Sequence, residues 1–323
     1  MKIGRVLALN ALTVAAALAC GPALASYPDK SITIVVPTAA GGANDAMARI
    51  IGQAMSSKLK QTFIVDNKAG ANGSIASEFV MRAPPDGYTL MLGYIATHAM
   101  NPALQKLRYD PVKDFEPVGM IGSSAILMVA NPGVKAGNAA ELAALAKASP
   151  NKINYASAGN GTAPHFAAEM FKLTTGAPML HVPYKGSAPA LNDTMAGQTQ
   201  VMFPSLFSSI PHVKSGKLKA LGVAGSKRSA LMPEVPTLKE QGIDNVDVSQ
   251  WYAMFAPAKT PKATIEQLNK VLNEVLSDPA VTRRLEEHGL EVAKMAPEQL
   301  RTYVQEEQVK WKKVVQAAKL TAD

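Results

Sequence analysis

The chain has 323 residues, 47% of them hydrophobic and 18% charged, with 33 lysines and arginines against 25 acids for a net charge of +8. Such a length exceeds one ordinary hydrophobic core and predicts two domains, while a single cysteine, Cys20, excludes a disulfide framework. The basic balance suits attraction of anions, but no arginine-rich run or aromatic-studded basic strand is present, so nucleic acid is not an expected partner.

At the N-terminus, Lys2 and Arg5 precede an apolar run over 6–19, and Ala23-Leu24-Ala25 forms a small-x-small site with cleavage before Ser26. Residues 1–25 therefore read as an export signal. Its loss removes Lys2 and Arg5 and no acid, which takes the net charge from +8 to +6. Ala17-Leu18-Ala19-Cys20 matches a lipoprotein processing site less well, with its leucine one place late; processing there would lipidate Cys20. No later stretch has about 18 continuous apolar residues, so the mature chain is expected to be soluble.

Residues 32–36 form a β-branched run suited to a strand buried on both faces. From Met47 the apolar positions Met47, Ile50, Ile51, Ala54, Met55 and Leu59 recur with helical spacing. Between them, Gly41-Gly42 with Asn44 and Asp45 makes either a tight capped turn or an anion cradle, because a helix N-terminus offers unpaired N–H groups and a partial positive charge. A strand over 63–65 leads through Asp66 to Gly73 into a helix from Ser74. Ala83-Pro84-Pro85-Asp86-Gly87 is a turn feeding a strand over 88–92. The loop at its carboxyl end puts Tyr94 and Thr97 where open α/β sheets hold ligands. Residues 101–117 read as a covering loop with a short helix, and 118–130 as an apolar run leaving the first domain.

Asn138 to Glu141 resembles a capping box opening an alanine-rich helix that stops at Pro150. A strand over 153–156 then opens onto a turn holding Ser157, Gly159, Gly161, Thr162 and His165, with Thr162 as N-cap and Pro164 tolerated in the first helical turn. This is a second strand, glycine turn and helix N-terminus. Strands over 179–182, 200–203 and 218–223, with helices from Ser187 and Leu206, continue a second sheet. Residues 246–256 return to the first domain, and helices opened by Pro261, Pro279 and Pro297 wrap it. The alternation predicts an α/β protein with mainly parallel sheets, divided into domain 1 (26–125 plus 252–323) and domain 2 (126–251), without an internal repeat.

The five histidines are scattered and no cysteine remains after residue 25, so neither a metal nor a metal cofactor is expected. Gly159-Asn160-Gly161 fails as a dinucleotide fingerprint, since Pro164 takes the third position and His181, not an acid, ends the next strand. Ser157 and His165 suggest acyl transfer, yet the G-x-S-x-G elbow is missing and no acid is placed to orient the histidine. A hydroxyl and an imidazole beside a helix N-terminus equally donate to a bound anion. Binding is the preferred reading and a secreted hydrolase using Ser157 and His165 the second. Lys185 stands where it would rim a cleft.

Ordered motifs run through the mature chain: Ile34-Val35-Val36-Pro37 with Gly41-Gly42 and Asp45; Asn67 with Gly70-Ala71 and Gly73; Pro84-Pro85-Asp86-Gly87-Tyr88-Thr89-Leu90; Tyr109-Asp110-Pro111 with Asp114-Phe115; Tyr155-Ala156-Ser157 with Gly159, Gly161 and His165; Val182-Pro183-Tyr184-Lys185-Gly186; Pro236-Thr237; Trp251-Tyr252; Thr260-Pro261. Over nearly its whole length the chain thus resembles the Bug family, periplasmic solute receptors of tripartite tricarboxylate transporters. The resemblance implies a two-domain periplasmic binding protein fold of type II-like form, each domain a mainly parallel sheet flanked by helices, with the ligand cleft between them and a carboxylate held by backbone amides and ordered water. Hinge segments are expected at 122–129 and 249–255. By that likeness the first-domain grip falls on Thr38, Ala39, Gly41, Gly42 and Asp45, and the second on Ser157, Gly159, Gly161, Thr162 and His165. The family usually has Phe where Thr38 stands, and often Asp where Pro204 follows Val201-Met202-Phe203. Loss of an acid beside the site argues against an amino acid ligand and leaves a mono-, di- or tricarboxylate, aromatic ones included. The resemblance further implies a periplasmic protein that delivers its solute to membrane permease subunits. A monomer is expected, and a ligand-loaded partner of a membrane sensor is a third reading.

Overall fold

The computed structural model describes residues 27–150, 152–318 and 320; the expected export signal, its cleavage site and Cys20 lie outside the described residues. Strand β1 (Ile32–Val36) has Ile32, Ile34, Val35 and Val36 fully buried and is followed by helix α1 (Ala43–Leu59), which seals Met47, Ile51 and Met55. Consecutive apolar residues are what a strand needs when both its faces are covered. Strand β2 (Phe63–Asn67), helix α2 (Ser74–Met81) and strand β3 (Thr89–Tyr94) follow, and β1 lies parallel between β2 and β3. A π-helical turn (Ala96–Met100) runs into the short α3 (Asn101–Leu104).

Strand β4 (Phe115–Ala130) is followed by α4 (Ala139–Ala148), where the Glu141 amide donates to Asn138 Oδ1 at 2.8 Å as a capping box requires. Then come β5 (Asn154–Ser157), α5 (Ala163–Thr175), β6 (Leu180–Pro183) and α6 (Ser187–Met195), which repeat the order β1, α1, β2, α2. The pair β5–β6 is parallel like β1–β2, in register from Asn154 opposite Leu180 to Ser157 opposite Pro183. The repeat is topological and has no counterpart in sequence. Completing the chain are β7 (Val201–Met202), α7 (Leu206–Lys214), β8 (Lys219–Ala224), β9 (Ser249–Pro257), α8 (Lys262–Val275), α9 (Pro279–Glu286), β10 (Glu291–Val292) and α10 (Pro297–Ala318).

The strand order is β2-β1-β3-β9-β4-β7-β5-β6, with β8 and β10 also paired to β4. The α/β alternation predicted from periodicity is present, and the sheet is mixed. Pairing is parallel in the two outer blocks and antiparallel where β9 and β4 join them. Strand β4 pairs with β9 from Phe115 to Ala125 and with β8 from Ile126 to Ala130, so one strand serves both lobes. The C-terminal helix is not confined to the first lobe. The Trp251 and Trp311 indoles both donate to Glu307 Oε2 at 3.0 Å, and the Trp311 ring meets Phe166 of α5 edge-on at 5.3 Å.

Candidate ligand-binding cleft

The turns leaving β1, β2, β5 and β6 at their carboxyl ends surround a cavity of about 390 Å³, where open α/β sheets place their ligands. Pro37 and Thr38 come from the first turn, residues 70–73 from the second, 158–161 from the third and 183–186 from the fourth. Tyr94 and the α3 region, with Asn101, Leu104 and Gln105, close the first-lobe side. Four helices, α1, α2, α5 and α6, start from these turns, and none has a side chain capping its N-terminus. Their first-turn amides have no intrahelical partner and carry the positive end of the helix dipole.

Contacts across the gap are crossed. The turn after β1 meets the turn after β6, with the Ala39 N–H donating to the Lys185 carbonyl at 3.4 Å and a Cβ on Gly186 falling 3.3 Å from Ala39 N. The turn after β2 meets the turn after β5, where a Cβ on Gly161 would lie 2.7 Å from Asn72 Nδ2 and 2.8 Å from Leu104 Cδ1. Two like βαβα units facing each other meet in this way, first turn to second. The two glycine turns conspicuous in the sequence therefore do not oppose one another. Gly41 and Gly42 stand against Ser187 and Ala188 at the start of α6, and Gly161 stands against Asn72.

Residues 70–73 all have positive φ: 126°, 45°, 51° and 86°. For Ala71 and Asn72 that conformation costs about 1–2 kcal/mol each, and such strain collects at ligand clamps. The Asn72 amide donates to Asn101 Oδ1, Asn101 Nδ2 donates to the Asn72 carbonyl at 2.9 Å, and the Tyr94 hydroxyl donates to Asn72 Oδ1 at 3.4 Å. In the turn after β1, on the same lobe, Thr38 Oγ1 is buried without a hydrogen-bond partner among the described residues, while the Thr38 carbonyl accepts Asn67 Nδ2 at 3.1 Å.

Of the residues expected at the site, Thr38, Tyr94, Gly159 and Gly161 line the cavity, and Ala39, Gly41 and Gly42 lie at the seam between lobes. The others stand behind the wall and have their polar groups engaged. Asp45 accepts the Gly41 amide at 3.0 Å and the Arg49 guanidinium at 2.9 and 3.1 Å. Burial pushes its carboxyl up, but Arg49 and the Gly41 amide outweigh that and hold it below the usual range. Thr97 Oγ1 is fully buried and donates to the Tyr94 carbonyl at 3.0 Å. Thr162 occupies the N-cap position but its hydroxyl donates to the Gly159 carbonyl at 2.7 Å, tying the turn and not the helix. The Pro204 carbonyl accepts the Leu127 amide at 2.8 Å, away from the cavity.

Ser157 is fully buried and its imidazole neighbour is His181, at 2.6 Å, not His165. Its Oγ also accepts the Gly159 amide at 3.1 Å. His165 Nδ1 accepts the Gly161 amide at 3.0 Å, and its ring stacks on His181 at 4.4 Å, which in turn stacks on Tyr155 at 4.7 Å. Burial lowers both imidazole pKa values, with the His165 charge adding to the effect at His181, which falls to about 4. Neutral imidazoles thus shape the turn from behind, and the serine has no face on the cavity. Among the described residues no three His, Cys, Asp or Glu side chains converge as metal ligands do. Asn72, Asn101 and Gln105 line the cavity without having been expected there. The signal for Asn72 was its place between Ala71 and Gly73, since asparagine tolerates left-handed turn positions; nothing in the sequence marked the other two.

The profile described as tripartite tricarboxylate transporter family receptor matches residues 47–320. Protein BugT of Bordetella pertussis is 34% identical over 318 residues, covering 98% of this chain and 98% of the relative. The R. palustris protein solved with adipate superposes with a TM-score of 0.88 at 32% identity, covering 91% of this chain and 99% of that one. MatC from Rhodopseudomonas palustris, solved with malate, gives 0.86 at 33% identity over 90% and 100%.

Proposed function

This chain belongs to the tripartite tricarboxylate transporter receptor family, and we propose that it closes round one small organic carboxylate and hands it to the membrane permease subunits of such a transporter. Members of this family are solute receptors and not enzymes. The observation that carries the reading is the cavity walled by turns from both lobes, with Ala39 and Lys185 bonded across its edge. Adipate and malate occupy two similar proteins. A cavity of about 390 Å³ is at the small end of ligand sites.

In this reading the lobes are 26–125 plus 252–323 and 126–251, hinged on β4 and β9. Thr38, Gly159 and Gly161 grip the solute, and Ala39, Gly41 and Gly42 shape the seam. Ligand binding favours the closed form by its differential affinity. The protein works in the periplasm as a monomer after removal of residues 1–25, and none of its described helices is long and apolar enough to cross a membrane.

Thermal unfolding against a panel of mono-, di- and tricarboxylates, aromatic ones included, tests the reading, with native mass spectrometry of periplasmic protein to catch a retained solute. A ligand at 100 times its Kd adds about 2.7 kcal/mol of stability. The assignment falls if no carboxylate raises Tm, or if the purified protein turns over esters or amides.

A further inference from the structure

The chemistry of the cavity wall narrows the solute class; this rests on the cleft being the binding site proposed above. Among the described residues no acidic side chain lines the cavity, and the one charged residue that does, Lys185, is exposed at the edge. The first-lobe floor is uncharged: Asn101 is fully buried, Tyr94 is 3% exposed, and the strained turn at residues 70–73 holds the Asn72 carboxamide against Asn101. Each carboxamide offers two donors and an oxygen with two acceptor positions. The bonds among Asn72, Asn101 and Tyr94 use one N–H of the Asn72 carboxamide and one acceptor position of its oxygen, so this half-buried side chain keeps one donor and one acceptor for the cavity.

A neutral group that both donates and accepts satisfies such a floor completely. A second carboxylate there faces the amide oxygens with no cation to offset its charge, and an ammonium faces the amide N–H groups with no acid beside it. The turn after β1, on the same lobe where it meets the second, is different. Thr38 Oγ1 is buried, unpartnered among the described residues, and beside the turn at 183–186 that precedes the uncapped α6. A hydroxyl donor beside a helix N-terminus suits a carboxylate.

We propose that the preferred solute is a monocarboxylate with an uncharged hydrogen-bonding group, a hydroxyl or a carboxamide, at its far end. Its carboxylate meets Thr38, and Asn72, held in place by Asn101, reads the neutral group. Asn72 is then the specificity-determining residue of the cleft, and Asn101 is the positioning residue that holds it.

The test is calorimetry on the full mature chain with straight-chain acids of matched length, four to six carbons in all, whose far end is methyl, hydroxyl, carboxamide, carboxylate or ammonium. The hydroxyl and carboxamide members should bind about tenfold more tightly than the other three. Asn72→Asp suits the left-handed conformation, keeps the acceptors and removes the donors. It should raise affinity for the ammonium-ended acid about tenfold and weaken the diacid about tenfold, a gain that misfolding does not produce. The inference is overturned if the native chain binds the diacid most tightly, if the five acids bind alike, or if Asn72→Asp leaves the order unchanged. Those results leave the receptor assignment standing, whereas no binding by any acid here or in the wider carboxylate panel removes both.

Discussion

Gly161→Ala is a wedge whose effect separates from ordinary backbone strain. Gly161 has φ +74°, so alanine there costs about 1–2 kcal/mol in any state of the protein. Its new methyl would also lie 2.7 Å from Asn72 Nδ2, 2.8 Å from Leu104 Cδ1 and 3.1 Å from Asn101 Oδ1, all on the other lobe. Asn72 is tied to Asn101 and cannot swing aside freely. Overpacking of that kind costs about 1–3 kcal/mol, and here it falls on the closed form alone. Affinity for the best carboxylate should drop about five- to 150-fold. Gly216→Ala is the control, because Gly216 has φ +72° with nothing within 4 Å of the added methyl. Both variants should lose similar stability in urea, and only Gly161→Ala should lose affinity by calorimetry and compaction by small-angle scattering. Equal affinity losses in the two variants, or full affinity in Gly161→Ala, would refute the wedge.

Asp45→Ala should cost about 1–3 kcal/mol in urea unfolding by leaving the Gly41 amide unpaired, and Arg49→Ala less than about 1 kcal/mol because that arginine is largely exposed. Gly42→Leu, whose side chain would point at Ala39 and the start of α6, should abolish carboxylate-induced Tm shifts while circular dichroism stays native. Stability should be full above about pH 6.5 and fall as pH is lowered towards 4. Burial holds His98 at about 3 and His181 at about 4, so the unfolded chain takes up those protons first. Urea midpoints at pH 7.5 and 5 check this, and His181→Gln should flatten part of the slope.

The strand, turn and helix over residues 32–59 were legible because β-branched residues and helical spacing are local signals. So were the glycines at both turns. Which turn faces which was not, since it follows from two topologically equal units meeting crosswise and the sequences of those units share no visible repeat. The partners of the polar residues on the turns were not legible either. Ser157, Thr162, His165 and Asp45 sit where a ligand grip is expected, and each has a hydrogen bond within its own turn, with Ser157 also tied to His181 and Asp45 to Arg49. Sequence gives the side chain but not the direction of its lone pairs. Asn101 had the opposite fate, hidden in a stretch without period and delivered to the cavity floor by a π-helical turn.

Trp251 lies on the crossing strand β9, Trp311 on the C-terminal helix, and both lean on one carboxylate while Trp311 also touches α5 of the other lobe. These are the chain's two tryptophans. Its entire indole emission therefore originates where β9, the C-terminal helix and α5 meet, and unlabelled stopped-flow fluorescence should report in real time any rearrangement of that junction on adding a carboxylate, with no dye or engineered probe on the molecule.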